Sequence, residues 1–350
     1  MKKKLLLLLF AGLTMMSLTA CSQSDAKKYA IIENNTSEEE KDCVAHALTG
    51  MQKYASEAGE QVGVYQPEGE KRKDYAKAIE QAVEEGAEVV VCVGDELSVP
   101  VYEAQNDYRR VNFILLNAEP HKRYSDKANI AENTISLHFD DKNESFLAGY
   151  VAVAHGSTDI GVMGGAKEES DLAKASAFVQ GAETAAKDLG LAPGSITLRY
   201  TFTGENKLSP AYMGQAMDWY NEGCEVIFAS NEKIRASVIQ AAQSVQKHVI
   251  GLGEESMEES DCMLTAGYAN YGGAVYHQLE LLEEDVFEGA QSLICGAKEE
   301  GTAVVIENSG LSEGTASHYT SILVQMSGGQ IKINTKVKIP NTEYVTIVEY

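Results

Sequence analysis

Two segments of this 350-residue chain carry residue patterns typical of covalent chemistry, and the first lies at the N-terminus. Lysines at positions 2–4 precede an apolar run from Leu5 to Met16, and small residues then lead into Cys21. This order predicts a lipoprotein signal peptide over residues 1–20 that is cleaved before Cys21. Lipid on the Cys21 sulfur, palmitate for example, would anchor the mature chain on the extracytoplasmic face of the cell membrane. An ordinary secretory signal with an incidental cysteine is the alternative.

The second pattern, Gly310-Leu311-Ser312-Glu313-Gly314, matches the G-x-S-x-G motif of serine hydrolases. Such an enzyme needs an acid and then a histidine later in the chain, but His318 is the only later histidine and no aspartate follows Ser312. A polar turn is the better interpretation, and we predict no enzyme and no catalytic residue. No H-E-x-x-H, phosphate-loop or dinucleotide motif is complete, so we also predict no metal and no cofactor.

Composition narrows the possible ligands and the domain organisation. The chain has 52 acidic and 29 basic residues and a net charge of -23, so we predict no nucleic-acid partner. A mature chain of about 330 residues exceeds the usual size of one domain, which favours two lobes. The five cysteines after Cys21 include no C-x-x-C pair and are predicted to be buried thiols: Cys43, Cys92, Cys224, Cys262 and Cys295.

From Tyr29 onward, short β-rich apolar runs alternate with longer segments of helical periodicity. This alternation predicts an α/β protein with mainly parallel sheets. The last helix before the C-terminal region is predicted over Tyr271 to Glu288, and a β-rich end over Lys332 to Val348. The predicted divisions are a tether at 21–28, a first lobe at 29–133 plus about 268–300, and a second lobe at 134–267 plus part of 301–350.

Two neighbouring segments resemble a known family signature. Glu144-Ser145-Phe146-Leu147-Ala148-Gly149-Tyr150, followed by Ile160-Gly161-Val162-Met163-Gly164-Gly165, is similar to the basic membrane protein lipoproteins, also called the PnrA-like family. Further similar patterns span 223–229, 249–251 and 274–276. The resemblance implies a type I periplasmic-binding-protein fold, with two doubly wound parallel-sheet lobes joined by a hinge. It also implies a solute-binding lipoprotein that serves the permease and ATPase subunits of an ABC importer, typically for purine nucleosides.

The family's ligand contacts correspond to different residues in this chain. Asn117 stands where a carboxylate is usual, Gly253 where a ribose-binding aspartate is expected, and Ala269 where a lysine is expected. A nucleoside is therefore the leading ligand class, and another small polar metabolite is the alternative. A receptor that reports its ligand to a membrane signalling partner is an alternative to transport, because the same fold serves both roles.

Ligands of open parallel sheets bind beyond the carboxyl ends of the strands, so the loops after the strands supply the candidate residues. Asn34, Asn117 and Asn231 are the preferred polar candidates because each lies at the end of a predicted strand or within two residues after it. The other polar candidates are Asn35, Asp95, Arg235, Glu254 and Asn270, and the aromatic candidates for stacking on a base are Tyr65, Phe202 and Tyr268. Such residues also commonly cap helices or pack in cores, and Arg235 can instead pair with Glu232.

Overall fold

The computed structural model describes residues 27–307, 309–334, 338–340 and 342–350. The predicted signal peptide, Cys21 and most of the predicted tether lie outside these residues. Within the described part of the chain, no helix is both long enough and apolar enough to cross a membrane.

The strands and helices alternate along most of the chain. The strands are β1 (Tyr29–Ile32), β2 (Val62–Tyr65), β3 (Val89–Val93), β4 (Asn112–Leu116), β5 (Thr134–Phe139), β6 (Asp159–Gly164), β7 (Ile196–Phe202), β8 (Val226–Ala229), β9 (His248–Leu252), β10 (Met263–Ala269), β11 (Gln291–Cys295), β12 (Thr302–Val304) and β13 (Val345–Glu349). The helices are α1 (Glu38–Glu57), α2 (Arg72–Glu84), α3 (Ser98–Asp107), α4 (Asp141–Ala154), α5 (Glu169–Asp188), α6 (Pro210–Asn221), α7 (Glu232–Val245), α8 (Tyr271–Glu283) and α9 (Glu313–Ser327).

The strands form two sheets, one in each lobe. The first sheet has the order β11-β5-β4-β3-β1-β2 with parallel neighbours throughout. The second has the order β12-β10-β9-β8-β6-β7-β13, in which β12 runs antiparallel to β10. Strand order reverses at β1/β3 in the first sheet and at β6/β8 in the second. These reversals are the doubly wound arrangement, in which ligands bind beyond the carboxyl ends of the strands near the reversal.

Both faces of each sheet are covered by apolar side chains, as parallel sheets require. In β1, Tyr29 and Ile31 point into one buried cluster, whereas Ala30 and Ile32 point into the cluster on the opposite face. The second sheet is likewise divided between two clusters. The predicted α/β class with two doubly wound parallel sheets is therefore confirmed.

Three connections pass between the lobes: β5 to α4, β10 to α8, and β11 to β12. Beside these connections, each lobe contains a pair of helices whose backbones pack closely together, α4 with α5 and α1 with α8. A Cβ atom at Gly149 of α4 would lie 2.0 Å from the Phe178 carbonyl oxygen of α5, and one at Gly50 of α1 would lie 2.1 Å from the Gly272 carbonyl oxygen of α8. Glycine at these positions allows the helix backbones to touch.

The lobe boundaries and secondary structure predicted from the sequence differ from the structure in four features. Residues 134–139 were assigned to the second lobe, but β5 pairs with β4 in the first sheet, because the chain changes lobe only at the following helix. The edge strand β11 was not predicted. Helix α8 ends at Glu283 instead of Glu288, since Asp285 has a positive φ of 58°. The β-rich end is confined, among the described residues, to Val345–Glu349.

Candidate functional site

A cleft of about 540 Å³ separates the two lobes. The first lobe contributes one face of α1, with Glu39, Asp42 and His46, and the start of α8 with Tyr271. The second lobe contributes the starts of α4 and α5 and the segments that follow β8, β9 and β10. An adjoining cavity of about 800 Å³ extends along α1 and α8 and shares Glu254, Glu255 and Tyr268 with the cleft. The cleft therefore lies where a ligand can contact both lobes at once.

Helix capping positions the loop that follows β8. Asn231 has extended backbone angles, and its Oδ1 accepts a hydrogen bond from the Ile234 amide at 3.1 Å, which begins α7. Its Nδ2 donates to Asn206 Oδ1 at 3.1 Å. Asn231 lines the cleft, but both ends of its amide already have partners within the second lobe.

The two basic side chains of the cleft are held by the protein itself. Arg235 is 3% exposed, and its Nε donates to Glu259 Oε2 at 3.0 Å while a terminal nitrogen donates to the Leu252 carbonyl at 3.1 Å. Its carboxylate partner is therefore Glu259 and not Glu232. Lys174 Nζ lies 2.9 Å from Asp141 Oδ2 and 3.3 Å from the Ser230 carbonyl oxygen.

Five predicted site residues come together at the cleft and its adjoining cavity. Asn231, Arg235, Glu254 and Tyr268 line the cleft, and Asn270 lines the cavity, where its Oδ1 caps α8 by accepting from the Gly273 amide at 3.0 Å. Burial, and to a lesser extent the negative charge of Glu254, raise the pKa of Tyr268 to about 12. Tyr268 is thus a neutral ring with a hydroxyl at physiological pH, suited to stack on a ligand and to hydrogen-bond with it.

The other predicted residues lie elsewhere. Asn34 is fully buried at the β1/β3 reversal, where Nδ2 donates to the Val93 carbonyl at 2.9 Å and Oδ1 accepts from the Tyr75 hydroxyl at 3.1 Å. Its polar groups join two strand ends of the first lobe instead of facing the cleft. Other residues outside the cleft lining are the exposed Asn35 and Asp95, the half-buried Asn117 beside Cys43, and Phe202, which lines a separate cavity. Tyr65 is buried and donates to Glu85 Oε2 at 3.0 Å.

Several cleft residues were missed, and Glu144 is the most unusual of them. It lies in the first turns of α4, is 2% exposed, and neither carboxylate oxygen has a hydrogen-bond partner among the described residues. Burial raises the pKa of Glu144 well above its ordinary value, and the negative charges of Asp141 and Asp140 raise it further. The amide of Glu144 itself, although it makes no hydrogen bond of acceptable geometry with the carboxylate, and the more weakly acting Lys174 oppose these effects.

A helical spacing could have revealed two of the other missed residues. Asp42 and His46 are four residues apart in α1, so they share one face of that helix, and they line both the cleft and the adjoining cavity. The candidates predicted from the sequence lie in or beside loops after strands, whereas the first-lobe wall of the cleft is largely a helix face.

The other described groups with potential for covalent or metal chemistry lie outside the cleft lining. Ser312 begins α9, where its Oγ lies 2.9 Å from Thr315 Oγ1 and accepts from the Thr315 amide. The five described cysteines are free thiols; four are buried as predicted, and Cys262 is half-buried. His277, Glu280 and Glu300 bring one potential metal-ligand atom each to within 4.8 Å of one another, on the partly exposed surface beside the adjoining cavity.

Two facing doubly wound lobes, three connections and an interlobe cleft together define a type I periplasmic-binding-protein fold. Comparison with known proteins identifies the family. Residues 39–343 match the family model described as "ABC transporter substrate-binding protein PnrA-like". The chain belongs to this family, and the resemblance noted in the sequence is confirmed.

One curated protein of this family is similar in sequence, and two solved structures are similar in fold. Basic membrane protein D of Borreliella burgdorferi strain JD1 is 24% identical over 254 residues, which cover 71% of this chain and 70% of that protein. An ABC transporter solute-binding protein from Conexibacter woesei has a TM-score of 0.61 at 17% identity and covers 89% of this chain and 99% of its own. A transcriptional activator of the comK gene from Bacillus halodurans has a TM-score of 0.59 at 16% identity, with 87% and 99% covered. At these identities the structural likenesses show the fold alone.

Proposed function

We propose that this protein is a lipid-anchored solute-binding protein of an ABC importer that captures a small polar metabolite outside the cytoplasmic membrane. A purine nucleoside is the leading ligand, and Cys21 carries the lipid. The protein catalyses no reaction in this proposal, because delivery to the permease needs only binding and release.

One observation carries the proposal: residues of both lobes line a single cleft. A ligand that contacts α1 on one side and the loops after β8 and β9 on the other stabilises a closed arrangement over an open one. Closure around a ligand requires such a difference in contacts between the two states. The hinge is supplied by the three interlobe connections.

Tyr268 supports the choice of a nucleoside. Its ring borders both the cleft and the adjoining cavity, and the nearby Glu254 offers carboxylate oxygens that can accept hydrogen bonds from ribose hydroxyls. Stacking of a base on an aromatic side chain is worth about 1–3 kcal/mol by alanine substitution.

A calorimetric screen of the purified protein against nucleosides, nucleobases, sugars and amino acids tests the proposal. We expect a purine nucleoside to bind, and Tyr268→Ala to weaken binding by about tenfold or more through lost stacking. Tyr124→Ala is the matched control, because Tyr124 is 90% exposed and lies outside the cleft. Binding of another class alone would refute the nucleoside, and binding of no class would refute the solute-binding role.

A further inference from the structure

The cleft contains far more negative than positive groups. Eight carboxylate side chains line it, against the two basic side chains Lys174 and Arg235 and the imidazole of His46. An acidic concave surface raises the local concentration of cations. The excess alone does not define a site, since solvated carboxylates are common on a chain with a net charge of -23.

Neither basic side chain is available to balance the excess. Lys174 is only 14% exposed at its side chain and is paired with Asp141, while Arg235 is 4% exposed at its side chain and is paired with Glu259. Their remaining hydrogen bonds go to backbone carbonyl oxygens within the second lobe. An anionic ligand would therefore have to displace internal partners before it met a positive charge.

Glu144 provides an independent indication of what the cleft binds. Glu144 is one of the residues that line the cleft, and both of its carboxylate oxygens are buried beneath the cleft surface without a hydrogen-bond partner among the residues that the structure describes. Close packing fixes this placement, because a Cβ atom at Gly267 of β10 would lie 2.9 Å from the Cβ of Glu144. Burial without a partner disfavours the charged form of Glu144, and a cation that enters with the ligand favours it.

We propose that the ligand carries a positive charge, which pairs with Glu144 when the lobes close. The inference rests on the proposed solute-binding function and narrows it: if the ligand is a nucleoside, its base is cationic. A neutral nucleoside would occupy the same space and could offer Glu144 hydrogen bonds, but it would bring no charge to balance an ionised carboxylate. The charged group would also meet the carboxylates of Glu39 and Asp42, which α1 contributes to the opposite wall.

Two methylated adenosines of similar size, one cationic and one neutral, test whether the ligand's charge matters for binding. 1-Methyladenosine is protonated at neutral pH, whereas its isomer N6-methyladenosine, which carries the methyl group on the exocyclic nitrogen, is neutral. We expect 1-methyladenosine to bind the purified protein at least about tenfold more tightly, as for a close charge pair with incomplete desolvation. Glu144→Gln should remove most of this preference, and Glu84→Gln, which removes an exposed carboxylate of α2 remote from the cleft, should leave it unchanged. The comparison of isomers in the unaltered protein needs no variant to fold.

A second pair of compounds separates the charge from the nucleoside. 1,4-Diaminobutane is a dication, and 1,4-butanediol is a neutral molecule of the same length. Binding of the diamine but not the diol, lost in Glu144→Gln, with no nucleoside bound, would support the charge and refute the nucleoside. Equal affinity for the two methyladenosines would overturn the charge and leave the nucleoside standing. A preference for N6-methyladenosine, a cation preference that survives Glu144→Gln, or failure of every cation to bind would also overturn the inference.

Discussion

Replacement of Glu144 by glutamine should stabilise the unliganded protein at neutral pH. Glutamine has nearly the shape of a protonated glutamate and stays neutral at every pH. The burial of Glu144 disfavours its charged form, so the folded protein retains a proton that the unfolded chain releases. The substitution removes this penalty and leaves the packing against Gly267 in place.

The sign and size follow from proton linkage. The pKa of Glu144 is raised in the folded state, so between the unfolded value of 4.5 and the folded value the folded state binds more protons, and stability falls as pH rises. Below the unfolded value the penalty is absent. The gain at pH 7 grows with the separation between the folded and unfolded pKa values, and thermal unfolding should show it as a higher Tm for Glu144→Gln than for the wild type.

Thermal unfolding of the wild type, Glu144→Gln and Glu84→Gln from pH 4 to pH 8 measures the effect. The difference in Tm between the wild type and Glu144→Gln reports the ionisation of Glu144 alone, because the two proteins share all other titrating groups. We expect the Tm difference to be small near pH 4 and to widen towards pH 8. The exposed control should stay within about 0.5 kcal/mol of the wild type at every pH.

A constant difference across this range, or a Glu144→Gln protein that is less stable at pH 7, would refute the reasoning. Either result would mean that Glu144 has a partner that compensates for its burial. Asp140 and Asp141 on its own segment, Lys174 on α5 and Tyr271 on α8 are the neighbouring groups whose charges enter this balance. Of these, Lys174 is the one whose charge could provide the compensation.

Three further predictions concern the framework around the cleft. Arg235→Met should cost about 2–3 kcal/mol in urea unfolding, because it strips a charged hydrogen-bonding partner from Glu259, and Arg235→Lys should recover part of the loss. Gly149→Ala should cost about 1–3 kcal/mol, since the added methyl meets a backbone carbonyl of α5 at 2.0 Å. Its control, Gly214→Ala, has open space in α6 and should instead gain about 0.5–1 kcal/mol. Iodoacetamide followed by peptide mapping should label the half-buried Cys262 before the four buried thiols; simultaneous labelling would mean that the cores within the lobes are accessible to the reagent, contrary to the structure.

The fold was predictable because its signals are local. Alternating buried side chains mark β1 and β3 on both faces of the sheet, and turn residues separate them from their helices. The errors arose where lobe membership depends on contacts between distant segments. β5 is followed directly by a helix of the other lobe, and no residue at the junction distinguishes this passage from an ordinary turn. β11 is an edge strand with alternate residues exposed, so its apolar signal is weak.

The cleft was less predictable because hydrogen-bond partners decide which polar residues are available. Asn34 follows a strand at the expected reversal, yet Val93, Thr36 and Tyr75 use its amide. Conversely, Glu144 directly precedes the buried run from Ser145 to Val153 of α4, so its position in the sequence indicates packing. Only the three-dimensional arrangement shows that its helix begins at an interlobe connection and that Glu144 is among the residues that line the cleft.

The location of Glu144 connects ligand charge to lobe closure. Helix α4 starts immediately after the chain passes from β5 into the second lobe, so Glu144 lies near a hinge connection, and Tyr271 begins the helix that follows another connection. A cation bound between these helix starts would interact with groups whose separation changes as the lobes rotate. Its interaction with Glu144 would be strongest in the closed state, where water is excluded. A ligand shifts a conformational equilibrium only by its difference in affinity for the two states, and a charge placed here provides such a difference.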